Sequence, residues 1–128
     1  MANPNIVSVS TIKGESIGEA LGAVGTDIMT IASGKLVKLN YISVANTNAT
    51  TACDVTVAVV KTGDITLTGV AAGEDNAGTF ELCSTLSCPA DDVLIVLEKP
   101  IYLMEGDVLE AGAAPATADI FVSYEVIS

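Results

Sequence analysis

The sequence predicts an all-β protein: an antiparallel β-sandwich, jelly-roll or immunoglobulin-like, with eight or nine strands. Three observations carry that expectation. Short β-branched segments alternate apolar and polar residues with a period of two. Turn residues (Gly, Pro, Asn, Asp, Ser) punctuate them at regular spacing. No apolar stripe of helical period is long enough for the crossover helix that parallel strands need. The core material agrees. Hydrophobic residues make up 50% of the 128, there is no Trp, and only Phe80, Phe121, Tyr41, Tyr102 and Tyr124 are aromatic. Val, Ile, Leu and Ala suit the thin space between two packed sheets.

Taken in order, Ile6-Val7-Ser8-Val9-Ser10-Thr11-Ile12 is β-branched and follows Asn3-Pro4, so residues 1–13 are expected to be an N-terminal arm or first strand and 14–128 a single β-sandwich domain. The glycines at 14, 18, 22 and 25 predict a loop over 14–25, although Ser16 with Glu19 could cap one helical turn. Asp27 to Ala32 reads as extended, Ser33-Gly34 as a turn, and Lys35 to Ala45 as a long strand. In that strand Leu36, Ile42 and Val44 face one way, and Val37, Leu39 and Tyr41 the other. It therefore either passes from the core to a subunit interface or carries a bulge that switches faces. Residues 46–51 are a polar loop.

The clearest alternation is Cys53 to Val59, with Cys53, Val55, Val57 and Val59 on one face. Thr62-Gly63-Asp64 predicts a hairpin into Ile65 to Val70, and 71–78 an acidic loop. Thr79 to Leu86 is the next strand, and Pro89-Ala90-Asp91-Asp92 a turn into Val93 to Leu97. That run is continuously apolar and predicts a strand buried on both faces. Pro100 to Leu103 leads to a turn at Met104-Glu105-Gly106-Asp107. A strand at Val108 to Ala111 and an Ala-rich connection through Pro115 follow. The last strand, Asp119 to Ile127, puts Ile120, Val122, Tyr124 and Val126 on one face.

Sixteen acidic residues oppose five lysines, with no arginine, for a formal net charge of −11. Nucleic acid and anionic membranes would repel such a chain, so neither is an expected partner. No run approaches the length of a membrane span, and Met-Ala-Asn-Pro-Asn does not read as a signal peptide. Histidine is absent, which removes the commonest general base and transition-metal ligand. Glu74-Asp75, Asp91-Asp92 and Glu105-Gly106-Asp107 are acidic enough for Ca²⁺ but lack EF-hand spacing, and read as solvated turn carboxylates. Cys53, Cys83 and Cys88 read as buried free thiols in a reducing compartment, because an extended segment would hold Cys83 and Cys88 about 16 Å apart on opposite faces. A cysteine nucleophile lacks its base, sugar-binding platforms are missing, and no Gly-Lys-Ser/Thr follows a glycine pair. The expected protein is not an enzyme and uses no cofactor. Strands 36–45 and 93–97, apolar on both faces, point to an interface and a homo-oligomer.

The opening Met-Ala-Asn-Pro-Asn-Ile-Val-Ser-Val, the middle Cys-Asp-Val-Thr-Val-Ala-Val and Ser-Cys-Pro-Ala-Asp-Asp-Val-Leu-Ile-Val, and the ending Ile-Tyr-Leu-Met-Glu-Gly-Asp-Val-Leu through Val-Ser-Tyr-Glu-Val-Ile-Ser form a pattern. It resembles the small virion structural proteins of tailed phages that infect marine cyanobacteria, over most of the chain. The resemblance implies a virion component made in the host cytoplasm, most naturally a capsid decoration (cement) protein that binds the outside of the major capsid protein lattice, with a trimer as the favoured oligomer. A tail or baseplate accessory protein and a virion-surface carbohydrate-binding module are the alternatives. Residues 14–25 and 71–78 depart from the family pattern. A cement protein needs an extended arm, for which residues 2–12 are the candidate. The candidate interface residues are Asn5, Ile6, Val7, Val9 and Ile12 in that arm, and Leu36, Tyr41, Ile42 and Val44 in the long strand.

Overall fold

The computed structural model describes residues 11–23, 25–62 and 77–128. Among the described residues, nine antiparallel strands form two packed sheets: β1 (Ile12–Ala20), β2 (Thr26–Thr30), β3 (Leu36–Asn46), β4 (Cys53–Thr62), β5 (Ala77–Cys88), β6 (Val93–Leu97), β7 (Ile101–Leu103), β8 (Val108–Ala114) and β9 (Ala118–Ile127). One sheet has the order β1-β9-β3-β6, with β7 pairing β3 beyond β6; the other has the order β2-β8-β4-β5. Apart from the β4–β5 hairpin and the β6–β7 step, successive strands cross between the sheets, and the first strands lie beside the last ones. That interleaving is a jelly roll, and it decides against the immunoglobulin-like alternative.

The core lies between the sheets. Val37, Leu39, Ile42, Val44, Ile120 and Val122 meet Val55, Val57, Val59, Leu109, Ala111 and Ala113. The two buried alanines of β8, Ala111 and Ala113, keep the layer thin. Each fully buried branched side chain contributes roughly 1.5–3 kcal/mol.

Several expectations hold and several are corrected. The alternation in β4 and β9 is as read, with Cys53, Val55, Val57 and Val59 buried. Turns stand at Ser33-Gly34, Ala90-Asp91 and Glu105-Gly106, and Gly34 and Gly106 have positive φ, which glycine adopts without strain. The loop expected over 14–25 is instead mostly strand. Thr11 exchanges backbone hydrogen bonds with Ser128, and β1 pairs with β9 without a slip from Ile12↔Ile127 to Ala20↔Asp119. Ladder bonds from a distant part of the chain outweigh the local cost of Gly14 and Gly18. The turn shrinks to the residues around Gly25, whose φ is +88°. Among the described residues the pairing with β9 is already in place at Thr11, and residues 1–10 lie outside the described residues.

The face switch in β3 is the bulge. Its register against β9 shifts between Leu39 and Tyr41, so Val37 and Leu39, then Ile42 and Val44, all point inward. The apolar run of β6 is not buried on both faces. This strand lies at the sheet's edge, with Val93 and Ile95 about half exposed. Strand β8 extends through the alanines expected to form a connection. The strand expected at 65–70 lies outside the described residues.

Candidate docking surface

The outward side of the five-stranded sheet is built in register. Gly18, Phe121, Ser43 and Ile95 are successive cross-strand partners from β1 to β6, and Ala20, Asp119, Ala45 and Val93 make the next row. Ser16, Ser123 and Tyr41 follow, then Gly14, Glu125, Lys38 and Tyr102, and finally Ile12, Ile127 and Leu36. The face has a floor of glycine, serine and alanine, crossed by a few large apolar groups. Gly18 lies beside Phe121: a Cβ there would meet the ring at 3.4 Å, an ordinary van der Waals contact. The shallow hollow around Phe121 is lined by Gly18, Ala20, Ser43 and Ala45, with Glu19 and Asp119 also bordering it.

Exposure marks this side. Ile12 (61%), Val93 (56%), Tyr102 (49%), Phe121 (48%) and Ile95 (47%) all lie on it; the other exposed large hydrophobics among the described residues, Phe80, Leu82 and Leu86, are on edge strand β5. Charge marks it too. The outward charged side chains on these strands are Lys38 and Glu125, which form an ion pair at 3.6 Å, and Asp119.

The outward side of the other sheet is the opposite in character. Asp27 partners Glu110, Glu110 partners Ala58, and Ala58 partners Glu81, so three carboxylates cross that sheet in one row. Asp54 stands further along β4 on the same side. Among the described residues no group of three or more His, Cys, Asp or Glu is arranged to hold a metal ion.

A cleft of about 680 Å³ opens between the sheets where β1 faces β2, lined by Met29, Ile31, Val37 and Val126 with Lys13, Glu15, Lys35 and Tyr124 at its sides. The Tyr124 hydroxyl donates to Glu15 Oε2 at 2.9 Å, and Lys13 pairs with Glu15 at 2.8 Å. The hydrogen bond and charge of Lys13, helped by Tyr124, lower the Glu15 pKa. Burial, and then Glu15, push Tyr124 up. These groups occupy the open margin of the sandwich, where inward-pointing charge on an edge strand discourages pairing with another sheet.

The residues expected to form an interface divide. Ile12 and Tyr41 lie on the outward face, and Leu36 is buried at its rim with Met104 and Ile127. Ile42 and Val44 are corrected: both are fully buried between the sheets, out of any partner's reach. Asn5, Ile6, Val7 and Val9 lie outside the described residues. Phe121 and Tyr102 were not anticipated on this face; Val93 and Ile95 belong to the strand 93–97, which the sequence pointed to as an interface, although neither was named as an interface residue. The readable signal was Phe121 itself, a large aromatic on the nominally polar side of an alternating strand.

Of the acidic turns, Asp91 and Asp92 are exposed, and Asp92 Oδ1 accepts from the Val93 N–H at 2.8 Å. Asp107 is not a solvated turn carboxylate, because it is completely buried and paired with Lys61. Glu74 and Asp75 lie outside the described residues. Asn48 Oδ1 accepts from the backbone of Thr50 and Thr51, which closes the polar loop before β4.

Compared with family models, curated proteins and solved structures, the chain matches none.

Proposed function

We propose that this chain is a non-enzymatic assembly module that docks through the outward face of its five-stranded sheet. Joined to the sequence resemblance, this reading makes it a phage capsid decoration protein seated on the major capsid protein lattice. One observation carries it: a chain of net charge −11 presents one sheet face with a carboxylate row and the other almost free of unpaired charge and rich in exposed apolar groups. A flat face floored by small side chains admits close approach of another flat surface. Phe121 and Ile95, adjacent through Ser43, are the natural anchors. The acidic opposite face stays in water and keeps particles apart.

Cementing follows from mass action. A protein that binds the assembled lattice and not its free subunits stabilises the lattice in proportion to occupancy. Repetition over many sites turns a modest contact into a large collective one. The experiment is quantitative mass spectrometry of purified virions, with this chain counted against the major capsid protein. Hundreds of copies per particle are expected. A few to a few tens would move the chain to the tail or baseplate, and none would end the virion reading.

A further inference from the structure

Cys53 opens β4, Cys88 closes β5, and the two are register partners across the antiparallel ladder. Residues directly opposed in such a ladder have Cα atoms about 4.5 or 5.5 Å apart, inside the window of roughly 4.4–6.8 Å that a disulfide spans. The register is regular here, running through Asp54↔Ser87 and Val55↔Leu86 before its first shift. Both cysteines are in the core, both are 1% exposed, and both are free thiols. They also act on each other: after burial, Cys88 is the next cause holding the Cys53 thiol above its ordinary value. Cys83 is no competitor. It partners Val57, four residues along β4 from Cys53 and so about 13 Å away in an extended strand.

This pair sits at one end of the ladder, beside exposed Thr51, Ala52 and Pro89. Asn46 closes that end. Its Nδ2 donates to the carbonyls of Thr51 (2.9 Å), Cys88 (3.1 Å) and Pro89 (3.3 Å), pinning the chain just before Cys53 to the chain around Cys88. Opening of that end alone would expose both thiols without unfolding the sandwich.

We propose that Cys53 and Cys88 are a modification site, a latent disulfide that closes when the folded protein meets a low-molecular-weight disulfide oxidant and then staples β4 to β5. One protein thiol loses its proton, and the thiolate attacks the oxidant's S–S bond, which gives a mixed disulfide and releases one oxidant thiolate. The second protein thiolate attacks the protein sulfur of that mixed disulfide, forming the Cys53–Cys88 bond and releasing the other oxidant thiolate. Two protein thiols are oxidised, one small disulfide is reduced to two thiols, and these take up the two protons.

The test is incubation of the folded full-length protein with excess oxidised glutathione, an acid quench, tryptic digestion and mass spectrometry. Cleavage after Lys38 and Lys61 places Cys53 in peptide 39–61, apart from Cys83 and Cys88. The expected product is 39–61 joined to the peptide carrying Cys88, with two hydrogens lost, in the parent protein and in Cys83→Ala but not in Cys88→Ala. Asn46→Ala is expected to oxidise about tenfold faster, because the end it pins opens more readily. The oxidised parent should unfold at higher urea than the reduced one, with no such shift in Cys53→Ala. Thiols that stay reduced, separate glutathione adducts, a link through Cys83, or a link formed only when unfolded chain is refolded in the same buffer would each overturn the proposal.

Discussion

Asp107 sits in the turn before β8, completely buried, and its carboxylate accepts from the Lys61 ammonium, the Met104 N–H at 2.9 Å and the Thr62 N–H at 3.2 Å. Its backbone carbonyl takes the Ile31 N–H at 2.9 Å, so one residue ties the ends of β2 and β4 to the turn after β7. Removing the carboxylate strands a mostly buried ammonium, its side chain 13% exposed, and takes the acceptor from two N–H groups at once. Asp107→Ala is expected to lower stability by about 3–5 kcal/mol, read from urea unfolding; a loss below about 1 kcal/mol would contradict this account. The thiols make a second prediction at this scale. Burial pushes Cys53 and Cys83 above their ordinary value of 9.0. From pH 9 upward the unfolded chain releases thiol protons that the folded chain still holds. The folded state then binds more protons, and stability falls with rising pH until the folded thiols also ionise. Under reducing conditions the urea midpoint should be level to about pH 8 and decline above it. The Cys53→Ala, Cys83→Ala double variant should decline less steeply, and an unchanged slope would remove the thiols as the cause.

Among the elements, β2 and β8 place Asp27 directly opposite Glu110. Like charges across an antiparallel pair destabilise it, so Asp27→Lys is expected to raise stability by about 0.2–1 kcal/mol. That gain should shrink in high salt; thermal unfolding at two ionic strengths checks both statements. Strand β1 makes a different prediction. Because Thr11 and Ile12 already belong to the sheet, deletion of 2–12 would remove their pairing with Ser128 and Ile127, so the truncation that tests the arm is 2–10. The shortened chain is expected to keep its melting temperature while attaching more weakly to the capsid lattice proposed as its partner, and undiminished attachment would exclude the arm. Strands β4 and β9 were legible in the sequence because each alternates cleanly and buries one face. Strand β1 was not: its glycines argue locally for a loop, and the pairing that overrides them comes from residues more than a hundred positions away. The bulge in β3 was readable only as one of two alternatives, because the sequence does not show which strand lies opposite. Strand β6 misled for a related reason, since an apolar run looks the same at the centre of a sheet as at its edge. The candidate docking face shows both effects. Ile42 and Val44 were assigned to it through the unplaced bulge, and the 93–97 strand was read both as buried on its two faces and as a sign of an interface, so Val93 and Ile95 were not singled out.

At the scale of the whole molecule, the two outward faces differ in kind, and that difference can be tested with paired substitutions. Phe121→Glu and Ile95→Lys alter side chains about half exposed on the outward face, so neither opens a cavity in the core. Both variants are expected to fold with little change in urea midpoint, because surface changes away from buried features usually stay within about 0.5 kcal/mol. Attachment should respond far more. Burying a charge against an apolar partner surface leaves it desolvated and unpaired, and loss of an anchor residue costs about 2 kcal/mol or more, roughly thirtyfold in affinity. Asp27→Lys on the acidic face is the control, expected to leave attachment within about threefold of the parent. The opposite signs in the two outward variants sharpen the reading. If apolar contact drives docking, Glu and Lys weaken it alike. If long-range attraction between the acidic chain and a basic lattice drives it, Glu at 121 should be tolerated, while the lysines at 95 and 27 should weaken binding similarly and in a salt-dependent way. Equal losses from the lysine variants on both faces would therefore replace a docking face with a diffuse electrostatic one. Losses confined to Phe121 and Ile95, and insensitive to salt, would assign attachment to the uncharged side of the sandwich.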